Sequence, residues 1–338
     1  MDFEEKLSKK EYLLFFSLII FLIGIVFIVF ANIFNLKFNA NSENQKNVFD
    51  NNLYIENDQN IILNDPEKEI KMLFFGDVMM DRSIRRRAET VGYDFYFKCV
   101  SDRFSNYDFV TINLEGPITN YVSNNLGQLP IGDIASFQFT MSKEALSAMK
   151  RSGINVFGVA NNHIFDYGRS GVLQTRENIL KENLFYFGDP IEENYRVLVL
   201  EKNNIKIALI PFNEFFGSAT ETISDILKFR DGVDKIIVFA HWGDEYVPPP
   251  ERVKKWAREF VDNGADVIIG HHPHIVQDLD FYKNKPIFYS LGNFIFDQYW
   301  EDSVRNGGVA EIVIKNSGEV FANLFNLQLN EERIPCFK

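Results

Sequence analysis

Cysteine is nearly absent from this chain: Cys99 and Cys336 are its only two, far apart in sequence. Neither a disulfide framework nor a cysteine-rich metal site is expected from such a pair, and thiol chemistry is excluded as the function. Positive charge is also short, with 35 Lys and Arg against 47 Asp and Glu and a net charge of -12. That balance argues against a nucleic-acid surface, because counterion release needs clustered Lys and Arg. Histidine is scarce as well, five in 338 residues. No internal repeat is evident.

What is present is apolar and aromatic. Hydrophobic residues make up 46% of the chain and aromatic residues 15%, enough for one large domain or two small ones with a sizeable core. Overall disorder is excluded. The densest basic run, "RSIRRR" from Arg82 to Arg87, reads either as a solvated helix face or as a groove for a polyanion.

Residues 13–34 are uncharged and apolar, long enough as a helix to cross a hydrocarbon core of roughly 30 Å. A cleaved signal peptide usually has a shorter apolar region, so an uncleaved transmembrane anchor is expected. Lys6, Lys9 and Lys10 precede it, against Lys37 and Lys46 after it. The tail 1–12 is therefore expected in the cytoplasm and the C-terminal domain outside it, in a single-pass protein of the cell membrane. Residues 35–69, rich in Asn, Asp and Glu without a sustained period, read as a tether, and 70–338 as the folded domain.

Within that domain, short apolar runs at 71–75, 108–112, 155–159, 206–210, 235–240, 266–270 and 286–290 suit strands buried on both faces. Helical patterns lie between them. The firmest places Val253, Trp256, Ala257, Phe260 and Val261 on one stripe, with prolines before it and Gly264 after it. Segments 142–153 and 168–183 are similar, and two alternating runs around Asn316, Ser317 and Gly318 predict a closing hairpin. An α/β domain ending in antiparallel strands is expected.

The polar residues gather just after the predicted strands, as "GDVMMD", "NLEGP", "NNH", "HWGDE", "HHPH" and "LGNF". In α/β sheets ligands bind at the carboxyl ends of the strands, so these distant clusters are expected to converge. Taken singly each has a plainer reading. A strand-end His is often a hydrogen-bonded surface residue, Asp77 a turn residue, Asn162 a helix cap and Glu115 a loop acid. Taken together, all five histidines at strand ends point to a metal site. Carboxylate, amide and imidazole are the donor set for Zn²⁺, Mn²⁺ or Fe²⁺, and one or two such ions are expected.

The ordered motifs "GDVMMDR", "INLEGPIT", "GVANNHIFDYG", "HWGDEY", "GADVIIGHHPHIVQ" and "YSLGNFIFD" resemble the CapA family of poly-γ-glutamate capsule-biosynthesis proteins, within the calcineurin-like metallophosphoesterase superfamily. The resemblance spans roughly residues 70 to 300. It implies a sandwich of two sheets flanked by helices. It also implies that Asp77, Glu115, Asn162, His241, His272 and His274 hold metal, with Glu115 bridging two ions. His163 would protonate a leaving group or steady the transition state. His271 falls where the family accepts other residues, and Met79 stands where phosphoesterases of the superfamily usually have histidine. The implied partners are the membrane, an anionic polymer or phosphoester substrate, and other capsule-synthesis membrane proteins. Two functions follow: a metal-dependent hydrolase acting on an envelope polymer or its precursor, or a non-catalytic polymer-binding or export component.

Overall fold

A computed structural model describes residues 68–124 and 137–338. The expected anchor at 13–34 lies outside the described residues, as does nearly all of the tether, and among the described residues no helix is long and apolar enough to cross a membrane.

Each predicted apolar run forms a strand. The first, β1 (Glu69–Val78), sits inside an eight-stranded sheet. It runs parallel to β2 (Phe109–Leu114), which continues through β3 (Val156–Gly158) to β4 (Phe185–Phe187), all parallel. A second sheet of six strands begins with the antiparallel pair β5 (Leu198–Lys202) and β6 (Ile205–Asn213). Beside β6 run β7 (Lys235–His241), β8 (Val267–His271) and β10 (Lys285–Phe288), all parallel to it, and β9 (Leu279–Tyr282) forms the edge, antiparallel to β10. The chain then returns to the first sheet. There β11 (Asn293–Ile295) pairs with the end of β1, and the expected hairpin appears as β12 (Asn306–Lys315) and β13 (Val320–Leu329), followed by β14 (Pro335–Phe337).

Strand periodicity explains the layers. Along β1, Met72 and Phe74 face the second sheet, packing with Ile207, Ile237, Phe239 and Ile269, whereas Leu73 and Phe75 join the core on the opposite side. Helices α1 (Arg82–Val91), α2 (Lys143–Ser152) and α3 (Gly168–Lys181) close that outer side. On the far face of the second sheet, α4 (Ala219–Phe229) and α5 (Glu251–Asp262) cover Ile210, Val238 and Ile268. The expected two-sheet, helix-flanked architecture is what the chain adopts.

Local chemistry sets the helix bounds. Ser142 caps α2 by accepting the Ala145 N–H, and Gly153 ends it at φ 103°. In α5 the predicted stripe of Val253, Ala257, Phe260 and Val261 is buried, and Trp256 lies at its edge. Helix α4 was not predicted, although its Ser218–Glu221 capping box is readable in the sequence.

Two expectations are corrected here. Cys99 and Cys336 form a disulfide, their Cα atoms 5.0 Å apart, despite 237 positions of separation. Sequence distance gave no hint of it. The β12–β13–β14 meander carries the C-terminus back beside the segment after α1, where Lys98 also pairs with Glu332. The basic run of α1 is neither a purely solvated face nor a free groove. Arg82 pairs with Asp297, Arg85 reaches the Thr140 carbonyl at 3.4 Å, and Arg87 donates to the Glu332 carbonyl at 2.7 Å.

Close approach of backbones explains Gly270, which precedes the histidine cluster. A Cβ there would strike the Tyr289 carbonyl and the Trp242 indole nitrogen. Gly270→Ala is expected to cost about 1–3 kcal/mol of stability by overpacking, read as a lower denaturant midpoint.

Candidate metal centre

Parallel register places the polar strand ends side by side. Asp77 on β1 is opposite Asn113 on β2, and His241 on β7 is opposite His271 on β8. Because both sheets present their carboxyl ends on one side, the two sets meet. The Asn113 amide donates to Asp77 Oδ1 at 2.8 Å and lies 3.2 Å from His241 Nδ1, and the His272 N–H reaches Asp77 Oδ2 at 3.3 Å.

All seven residues expected at the site come together. Ligand atoms of Asp77, Glu115 and His274 lie within 4.8 Å of one another. His274 Nδ1 is 3.3 Å from Asp77 Oδ2, and its Nε2 is 3.6 Å from Glu115 Oε1. On the other side, His241 Nε2 is 2.9 Å from Asn162 Oδ1, and the His241 and His272 rings stand 4.9 Å apart. His163 borders the first group, with Nε2 3.9 Å from Glu115 Oε1, and its Nδ1 lies 2.9 Å from Asp166 Oδ2.

The fit to a divalent ion rests on unpaired buried donors. Glu115 Oε1 and His272 Nδ1 are both buried without a hydrogen-bond partner, and such atoms are costly to leave unmatched. A spacing near 3 Å, as between His241 Nε2 and Asn162 Oδ1, suits two donors that share one ion at about 2.0–2.2 Å. The backbone is strained here too: His272 and His274, flanking Pro273, have φ of 97° and 57°, values disfavoured for residues with a side chain.

Electrostatics divides the cluster. Burial, reinforced by the neighbouring Asp77 charge, holds the Glu115 carboxyl well above the ordinary range. Burial also raises Asp77, but the hydrogen bond and charge of His274 outweigh it, and Asp77 lies below its ordinary value. Burial would lower His274, yet Glu115 and Asp77 push it up to about 9. Burial and the charge of His274 bring His272 down to about 4, and burial lowers His241 strongly.

His271 faces elsewhere. Its ring nitrogens lie 3.2 Å from the Ala240 and 3.2 Å from the Phe75 carbonyls, so it braces one sheet against the other. Met79 is no donor to the group: its sulfur accepts the Asp81 N–H at 3.2 Å, and its side chain packs with Phe139 and Phe296.

Several residues that organise the site are not singled out by the sequence, although each stands inside or beside one of its motifs. Asn113 touches Asp77, Glu115 and His241 at once, and Asn161 donates to Asn113 Oδ1 at 3.1 Å and the Leu114 carbonyl at 2.8 Å. Asp166 orients His163 while accepting the Phe139 N–H at 2.7 Å. Asn293 meets His274 Nδ1 at 3.0 Å, and Glu245 lies with His272 and His274 in a second group of ligand atoms within 4.8 Å. Short polar residues in turns have many uses, and only the fold shows which of them face inward.

Fold and cluster together define a class: an α/β protein of two packed sheets whose strand ends offer carboxylate, amide and imidazole donors suited to a divalent metal. Its family follows from comparison. Residues 71–298 match the family of the bacterial capsule synthesis protein PGA_cap, and the chain belongs to that family. It is 30% identical over 288 residues to the capsule biosynthesis protein CapA of Bacillus anthracis, covering 78% of this chain and 68% of that protein. To the PGA biosynthesis protein CapA of Bacillus subtilis (strain 168) it is 30% identical over 264 residues, covering 72% of this chain and 68% of that one. Among solved structures, a purple acid phosphatase from yellow lupin seeds overlays 79% of this chain and 55% of its own at 11% identity and a TM-score of 0.39.

Proposed function

We propose that this chain is a membrane-anchored capsule-synthesis protein that works outside the cytoplasm as a metal-dependent hydrolase on an envelope polymer, poly-γ-glutamate or its precursor. The observation that carries the reading is the convergence of Asp77, Glu115, Asn162, His241, His272 and His274, with Glu115 Oε1 and His272 Nδ1 buried and unpaired. A divalent ion held by these residues would polarise a phosphoryl or carbonyl oxygen and lower the pKa of water to about 7.

The chain's own groups supply the rest. Asp166 fixes Nδ1 of His163, so Nε2 points to the Glu115 side, where it would hand a proton to the departing oxygen or nitrogen. Asn113 holds Asp77, Glu115 and His241 in register. The Cys99–Cys336 disulfide supports an extracytoplasmic domain, because such bonds persist in oxidising compartments. A purely polymer-binding role has less support: Arg82, Arg85 and Arg87, the basic groove it would use, already have partners within the chain.

The test is turnover of phosphoesters and γ-linked glutamyl peptides by the metal-loaded, full-length chain, beside His163→Ala. That variant is expected to keep its metal and lose about 10²- to 10⁴-fold in kcat. Full metal loading with no turnover on either substrate class would sink the hydrolase reading.

A further inference from the structure

The Asp77 side of the centre is one donor short. Asp77, Glu115 and His274 offer three donors there, and the sulfur of nearby Met79 is committed to the Asp81 N–H at 3.2 Å. A borderline divalent ion binds thioether weakly, so that side needs a donor from elsewhere.

The loop after β7 offers one. A Glu245 carboxylate oxygen lies within 4.8 Å of ring nitrogens of both His272 and His274. The loop is pinned on each side of that residue. Gly243, at φ 91°, donates its N–H to Glu214 Oε2 at 2.7 Å. Tyr246, at φ 63°, donates its own to the Pro273 carbonyl at 2.9 Å, and its hydroxyl accepts from Gln298 Nε2 at 3.0 Å. The Tyr246–Pro273 bond ties this loop directly to the turn that carries His272 and His274.

The neighbouring acids are used differently. Asp244 is clamped by Arg252 through two bonds of 2.9 and 2.6 Å, which neutralise it. Glu245 has no Lys or Arg partner among the described residues, and it adds to the field that raises His274. Beside it, the buried His272 Nδ1 has no partner. A carboxylate without a cationic partner, held by tied backbone beside a histidine that has an unpaired buried ring nitrogen, suits a cation site.

We infer that Glu245 is a metal-holding carboxylate of this centre, supplying the donor that Met79 does not. Its exposure places it on the open side of the cluster, where ion and substrate enter. The inference rests on the metal-centre reading.

The test is calorimetric titration of the full-length chain with Mn²⁺ and with Zn²⁺, together with Co²⁺ absorption spectra, for wild type, Glu245→Gln and Asp244→Asn. Glu245→Gln is expected to weaken at least one ion by about tenfold or more and to change the Co²⁺ bands. Asp244→Asn makes the same charge change one residue away, and it should leave affinity within about threefold of wild type and the bands unaltered. Unchanged affinity and spectra in Glu245→Gln, with wild type binding tightly, would overturn the role of Glu245 and leave the centre standing. Equal weakening in both variants without a spectral change would also overturn it, because the loop's field and not ligation would be responsible. No binding of any of the three ions by wild type would remove the metal centre itself, and this inference with it.

Discussion

Changing Asp77 and His272 together to alanine is expected to strip the chain of bound metal while leaving it folded. The two residues come from different sheets and serve both halves of the cluster, so their loss removes donors from each. The fold should survive because neither belongs to an apolar core cluster, and because removing Asp77 relieves its repulsion with buried Glu115. Elemental analysis of the purified full-length variant, beside a thermal melt, checks both statements. Metal retained at the wild-type level would place the ion elsewhere.

The same centre predicts a pH dependence of binding. His274 is raised to about 9, so at neutral pH it carries a proton that an ion must displace. Apparent affinity should therefore fall about tenfold for each pH unit below 9 for that one proton. His272, near 4, adds no such cost at neutral pH. Titrations at pH 6 and pH 8 that gave equal affinity would contradict the position of His274 among the ligands.

Reduction of Cys99–Cys336, or its replacement by Cys99→Ser with Cys336→Ser, is expected to cost about 2–5 kcal/mol. The bond closes a loop spanning 237 positions, the case in which restricting the unfolded chain matters most. For a domain of this size the loss corresponds to a fall in Tm of roughly 4–9 °C. The cost should appear as loosening of β14 from its surroundings, where Phe337 packs under the Arg103 guanidinium at 4.0 Å and Lys338 donates to the Asn326 carbonyl at 3.0 Å. A melting curve that reductant leaves unmoved would mean that these contacts alone hold the strand.

Much of the fold was legible because buried parallel strands need near-continuous apolar runs, and all seven predicted runs form strands. Strands β4, β5, β9, β11 and β14 were not anticipated. They are short or lie at sheet edges, and β9 shows no fully buried residue, so the apolar signal is weak there. The candidate ligands were legible because imidazole is rare in this chain and all five histidines fall at strand ends, where α/β sheets bind their ligands. Asn113, Asn161 and Asp166 were not, because their task is to hold other side chains, and an amide or acid in a turn has many ordinary uses.

By itself the sequence determined the alternation of strand and helix, the places where polar residues interrupt it, and the donor chemistry those residues offer. These properties follow from local pattern and from the kinds of side chain present. Only the tertiary structure decided that β14 returns to Cys99, that Arg82, Arg85 and Arg87 of α1 bond within the chain, and that Glu245 faces the histidines while Asp244 faces Arg252. Each of those outcomes depends on which segments the fold brings into contact, and a contact between separate segments, whether 8 positions apart as in Asp244–Arg252 or 237 as in Cys99–Cys336, leaves no mark on the local pattern of either.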